Sequence, residues 1–109
     1  MLLVCLRDLP VFETVIPSKI FEFLAQERPV IVTARGEIAR MASEADVALV
    51  AEPENAEALA EAILHVGSHP EEAARRARAG SEWVRKNFVR DDLARRMLSF
   101  VQQSVERAR

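Results

Sequence analysis

Cysteine is all but missing from this 109-residue chain, and the single one, Cys5, excludes an internal disulfide. A lone thiol fits a reducing, cytoplasmic setting. Its place inside the apolar run Leu2 to Leu6 predicts a small buried hydrophobe rather than a reactive nucleophile. No run approaches the roughly 20 apolar residues that cross a membrane. The apolar opening stops at Arg7-Asp8 and carries no basic leader, the reverse of a secretory signal. Basic excess is also lacking, with 15 Lys and Arg against 17 Asp and Glu and a net charge of −2, so a nucleic-acid backbone is not an expected partner. Histidine is limited to His65 and His69. A helix residue and a cap residue before Pro70 are the expected roles, with no cysteine or carboxylate beside them at metal-ligand spacing and therefore no metal site. Repeats, low-complexity tracts and linkers are absent too.

What is present is the composition of one small soluble domain, 50% hydrophobic and 29% charged. Residues 2–6 predict a strand covered on both faces. A loop from Arg7 to about Ile16 follows, then Pro17 at the start of a short, largely buried helix over 18–26 with Ile20, Phe21, Phe23 and Leu24. Pro29 opens a second strand over 30–33. Gly36 precedes a helix over 37–45, and Val47 to Val50 form a third apolar strand. Strand, helix and strand within about 30 residues make a βαβ unit.

The pattern then turns helical. Asn55 is placed to cap a helix bearing Leu59, Ala62, Ile63 and Val66 and ending at Gly67. Pro70, Glu71 and Glu72 begin the next, which runs to about Asn87 and turns Ala73, Ala77, Trp83 and Val84 inward. Gly80 within it predicts a close approach. The last helix spans about Arg90 to Arg107, with Leu93, Met97, Phe100 and Val101 at helical spacing. Arg75, Arg76, Arg78, Arg95 and Arg96 lie among acids, as on solvated faces. The fold class is α/β: a βαβαβ core over 1–52, the C-terminal part of a doubly wound parallel sheet of about three strands, and a helical tail over 53–109. A domain that opens on a buried strand is expected to have a missing upstream part.

Ligands of open α/β sheets bind beyond the carboxyl ends of the strands. Here that rim comprises the loop after Leu6, the turn from Thr33 to Glu37 and the loop after Val50. The richest segment is Thr14-Val15-Ile16-Pro17-Ser18-Lys19-Ile20-Phe21-Glu22. Its helix start offers backbone N–H groups to an anion. Ser18 and Glu22 lie four apart on one face, and Lys19 and Glu22 three apart. A diphosphate would favour the hydroxyl and ammonium, and a ribose diol the carboxylate. The alternative is a simple cap at Ser18 and a surface ion pair between Lys19 and Glu22. A charge at Glu22 between Phe21 and Phe23 in a buried helix would call for a partner or ligand.

The run Pro17 to Ala25, then Arg28-Pro29-Val30-Ile31 and Gly36-Glu37, resembles the C-terminal domain of family four retaining glycosyltransferases with the GT-B fold, in particular those that build cell-surface polysaccharides. Asn55 to Leu64 and Trp83 to Phe88 resemble the tail of the same domain. The resemblance implies that Glu22 binds the nucleotide ribose and that the loop from Thr14 to Lys19 cradles the diphosphate. Of the two glutamates that mark the family's donor site, the first falls on Thr14, with Glu13 one position away. Glu27 stands where the family usually has glycine, a change in a turn.

The resemblance implies a nucleotide-diphosphate sugar as donor substrate, no cofactor, and an intact enzyme in the cytoplasm or peripheral at the inner face of the membrane. The acceptor domain and the first part of the donor domain are not in this chain. No catalytic residue falls within it, and it is expected to be inactive alone. The rival expectation is a catalytically silent module that associates with itself through its unpaired first strand or terminal helix.

Overall fold

A computed structural model describes residues 1–88 and 90–109. Three strands, β1 (Leu2–Cys5), β2 (Val30–Thr33) and β3 (Leu49–Ala51), form a parallel sheet in the order β1-β2-β3. Leu2 pairs with Val30, and Ile31 with Leu49. Five α-helices are described: α1 (Lys19–Ala25), α2 (Glu37–Glu44), α3 (Ala56–Ser68), α4 (Pro70–Asn87) and α5 (Arg90–Arg107). The expected α/β architecture with a helical tail is therefore present. The segment expected to be irregular holds a short 3-10 helix, Pro10–Thr14, started by its proline. The third strand begins at Leu49 rather than Val47, because Asp46 takes a left-handed backbone (φ 52°) and Val47 and Ala48 are spent in the buried approach.

The Val30–Thr33 strand is buried at every residue, as its β-branched sequence demands of a central strand. One face carries Val4, Val30 and Val32, packed with Ile20 and Leu24 of α1, Ile38 and Ala42 of α2, and Val47. Ala79, Trp83 and Val84 of α4 close over this cluster. The other face, with Ile31, is covered by α3, which packs on β2 and β3. Alternation puts Leu3 and Cys5 on that same face, paired with Ile31 and Thr33. The α3 helix does not reach them, so Leu3 and Cys5 are exposed. Two expectations are thereby corrected: the first strand is not covered on both faces, and Cys5 is not buried.

Local chemistry sets the helix ends. Asn55 Oδ1 accepts the Ala58 N–H at 2.9 Å, the expected cap. The α3 helix passes Gly67 and stops at Ser68, because Pro70 disfavours helical backbone at His69 and then begins α4. Gly80 makes the expected close approach: a Cβ there would stand 2.9 Å from Leu24 Cδ2. Arg75 and Arg76 are not simply solvated. They grip Asp46 at 2.7 and 2.9 Å and tie α4 to the turn after α2.

The α5 helix is exposed at every described residue, its apolar stripe of Leu93, Met97, Phe100 and Val101 included. It gives the molecule extents of 59 × 31 × 18 Å and a radius of gyration of 16.7 Å, against about 13 Å for a compact domain of this length.

Candidate functional site

The helix start that the sequence singles out is built by two supports. Gly36 has φ 83°, and the backbone of Glu13 lies directly against it; a Cβ would meet the Glu13 carbonyl oxygen at 2.1 Å. This contact pins the 3-10 helix to the N-terminal end of α2. Beyond it, Ser18 precedes α1 without capping it through its hydroxyl. The first turn is closed by Ile20 N–H to Pro17 O at 3.1 Å and Phe21 N–H to Ser18 O at 3.1 Å. The Ser18 side chain is thus not used as a cap.

Ser18 and Glu22 do share one hollow of about 320 Å³, with Phe21, Val84, Phe88 and Leu93 among its walls. Its floor is aromatic: Phe21 stacks on Phe88 at 4.5 Å between ring centroids, and Trp83 lies 4.8 Å from Phe88. Glu22 is 64% exposed, which corrects the expectation of a charge held within a buried helix. Only Ile20 and Leu24 of α1 are buried, because a seven-residue helix over one edge of the sheet turns a single narrow stripe inward. Arg90 Nη2 stands 3.8 Å from Glu22 Oε1.

Lys19 does not join this group. Its ammonium lies 6.0 Å from the Phe23 ring centroid, and it forms no ion pair with Glu22. Thr14 Oγ1 donates to the Val11 carbonyl at 3.5 Å within its own 3-10 helix. Glu13 is exposed and contributes its backbone to the Gly36 contact. The structure therefore brings Ser18 and Glu22 together and leaves Thr14, Glu13 and Lys19 beside them.

A second hollow, about 440 Å³, opens at the carboxyl ends of the strands. Cys5, Arg7, Thr33, Glu52, Asn55 and Leu59 are among its walls. Charges organise this rim. Arg35 bridges Asp8 at 3.2 Å and Glu52 at 2.5 Å, and the Asp8 N–H donates to Glu54 Oε2 at 3.1 Å. One guanidinium thus links the ends of all three strands. The sequence named these three loops as the rim but not this ion pairing, whose partners are too far apart in sequence for spacing to reveal. Glu54 holds a left-handed turn (φ 52°) that aims its carboxylate back at Asp8.

A third cluster lies at the elbow between α3 and α4. His65 Nε2 is 2.8 Å from Glu72 Oε2, and the rings of His65 and His69 stack with centroids 4.0 Å apart. The sequence reading found no carboxylate partner for the histidines; the sharp turn at His69-Pro70 supplies Glu72. The hydrogen bond from His65, then the charge of Arg76, hold the Glu72 carboxyl below the usual range. The spacing His65, His69 and Glu72, at steps of four and three, was the signal available.

Comparison with known proteins bears on the first two hollows. A family model described as Glycosyl transferases group 1 matches residues 8–69, more than half of the chain. Among solved structures, the sucrose-phosphate synthase of Thermosynechococcus elongatus is similar, with a TM-score of 0.75 and 26% sequence identity over 84% of this chain. The match covers 23% of that protein, so this chain spans less than a quarter of its relative's length. Curated protein sequences contain no match. The matched region takes in the loop after β1, α1, β2, the Gly36 turn, β3 and α3, with Ser18 and Glu22 among its residues, and on that ground the chain belongs to the glycosyl transferases group 1.

Proposed function

We propose that this chain is the donor-binding portion of a retaining, family four glycosyltransferase of GT-B type. The intact enzyme transfers a sugar from a nucleotide-diphosphate sugar to a polysaccharide or glycolipid acceptor, in the cytoplasm or at the inner face of the membrane. The observation that carries this reading is the shared hollow of Ser18 and Glu22. A hydroxyl and a carboxylate one helical turn apart, over an apolar aromatic floor, suit a ligand with phosphate at one end and a diol at the other.

In this reading Glu22 accepts hydrogen bonds from the ribose hydroxyls. Ser18, the backbone around it and the Thr14–Lys19 segment receive the diphosphate, with Glu13 at the margin. Lys19 leaves the Phe23 ring to do so, and Arg90 gives up Glu22. Lys19 alone is a weak means of neutralising a leaving diphosphate, the main electrostatic task of such a transfer. The isolated chain is accordingly a half-site without turnover, and the remainder of the machinery comes from other domains of the intact enzyme.

Titration calorimetry with a panel of nucleoside diphosphates tests this. Weak binding by the chain, lost in Glu22→Ala with the circular dichroism unchanged, supports the donor site. Equal binding by both proteins sinks it, and product formed from nucleotide sugars by this chain alone overturns the half-site.

A second reading, a silent module that associates with itself, draws on the apolar stripe of α5 and on β1 as an open edge. Sedimentation of the isolated chain tests it: a monomer at high concentration counts against it.

A further inference from the structure

We propose that His65, His69 and Glu72 form a binding site for a borderline divalent transition-metal ion of the Zn²⁺ type, clipping the end of α3 to the start of α4. One ligand atom from each residue lies within 4.8 Å of the other two. Tetrahedral zinc with nitrogen and oxygen ligands near 2.0–2.1 Å sets its ligand atoms about 3.3 Å apart. Rotation of the partly exposed side chains would close the difference.

The hydrogen bonds around the cluster orient His69 and Glu72, and zinc would take the place of the proton shared by His65 Nε2 and Glu72 Oε2. His69 Nδ1 is 2.9 Å from the His65 carbonyl oxygen. A carbonyl only accepts, so Nδ1 carries the proton and the His69 Nε2 lone pair is left to a metal. A ligand histidine is ordinarily fixed in this way. Glu72 is oriented similarly, since Arg76 Nη2 holds its Oε1 at 2.7 Å while Oε2 faces His65. The backbone supplies the rest. His65 and His69 are one helical turn apart, and Pro70 starts α4 so that Glu72 returns beside both rings. Two imidazoles and one carboxylate favour zinc and its neighbours over magnesium or calcium, which take oxygen ligands. Three protein ligands leave a position for water.

The alternative is an elbow held only by the His65–Glu72 hydrogen bond. The experiment uses the full chain carrying Cys5→Ser, which removes the exposed thiol as a competing zinc ligand. Calorimetry with ZnCl₂ is expected to show one saturable site, with thermal unfolding moved upward by zinc and not by MgCl₂. His69→Ala and Glu72→Gln are each expected to weaken zinc binding tenfold or more. In the unsubstituted elbow, zinc should shift the imidazole proton resonances of both histidines together, a readout that does not depend on the folding of any variant. Absence of saturable binding, affinity unchanged by His69→Ala, or ring resonances that stay in place would overturn the site.

Discussion

Glu13 and Gly36 meet backbone to backbone, with no room for a methyl group between them. The Gly36 conformation, φ 83° and ψ −145°, is also one that residues with a Cβ rarely adopt. Gly36→Ala is therefore expected to cost about 3 kcal/mol or more, read as a lowered urea midpoint. Because the same contact pins the segment leading to Ser18, any nucleotide binding should fall with it.

Glu27 gives the opposite expectation. It follows α1 with φ 55°, the left-handed conformation in which helices commonly end on glycine. The turn at Glu27 is thus a position of strain. Glu27→Gly should stabilise the chain by about 1 kcal/mol, seen as a raised midpoint with an unchanged denaturant slope.

Asp46 links stability to acid. Its hydrogen bonds from Arg75, then from Arg76, hold its carboxyl below the ordinary aspartate value. A depressed folded-state pKa contributes stability that is present above the unfolded value of about 3.9 and is lost as pH falls through the folded one. The carboxylate is half exposed, so the pair of ion pairs should contribute only about 0.5–1 kcal/mol. Asp46→Asn keeps the left-handed turn, which asparagine tolerates. It should destabilise by that amount at neutral pH and by progressively less in acid, measured by urea unfolding across pH.

Gly80 offers a test of packing against propensity. Alanine would gain about 1 kcal/mol of helix propensity. Its Cβ would press on Leu24 Cδ2, and Leu24, only 1% exposed, could yield only against its packed core neighbours. Overpacking of this kind costs about 1–3 kcal/mol, so Gly80→Ala should be neutral to destabilising in thermal unfolding. Shortening Leu24 to alanine in the same chain should reverse the sign of the Gly80→Ala effect.

A chain ending at residue 88 should keep the fold, because α5 buries none of its described residues. Its circular dichroism should lose helix in proportion, and its unfolding free energy in urea should change by less than about 0.5 kcal/mol. If α5 mediates self-association, sedimentation of the shortened chain should show a monomer where the full chain does not.

The strands, the helix order and the Asn55 cap were legible because each rests on local pattern. β2 is a run of β-branched residues after a proline, α3 has its cap at the expected position, and α4 begins at Pro70. What escaped was set by tertiary neighbours. Cys5 sits in an apolar run, yet whether it is buried depends on how far α3 reaches across the sheet. The exposure of Glu22 follows from the single inward stripe of a short helix. The pairing of Arg35 with Asp8 and Glu52, and of Asp46 with Arg75 and Arg76, needs the fold to bring distant residues together. The Ser18–Glu22 neighbourhood was foreseen from its one-turn spacing, whereas the turning of Lys19 toward Phe23 was not.

The position of β2 has a dynamic consequence. It is buried at every residue and hydrogen-bonded on both sides, while β1 and β3 each have one unpaired edge. Its consecutive amides point to opposite neighbours, and Ile31 and Val32 are both fully buried beneath the helices, so fraying at the end of an outer strand does not open them to water. Amide protons of Ile31 and Val32 should thus exchange with deuterium only when the whole domain opens, making them the slowest reporters of its global unfolding.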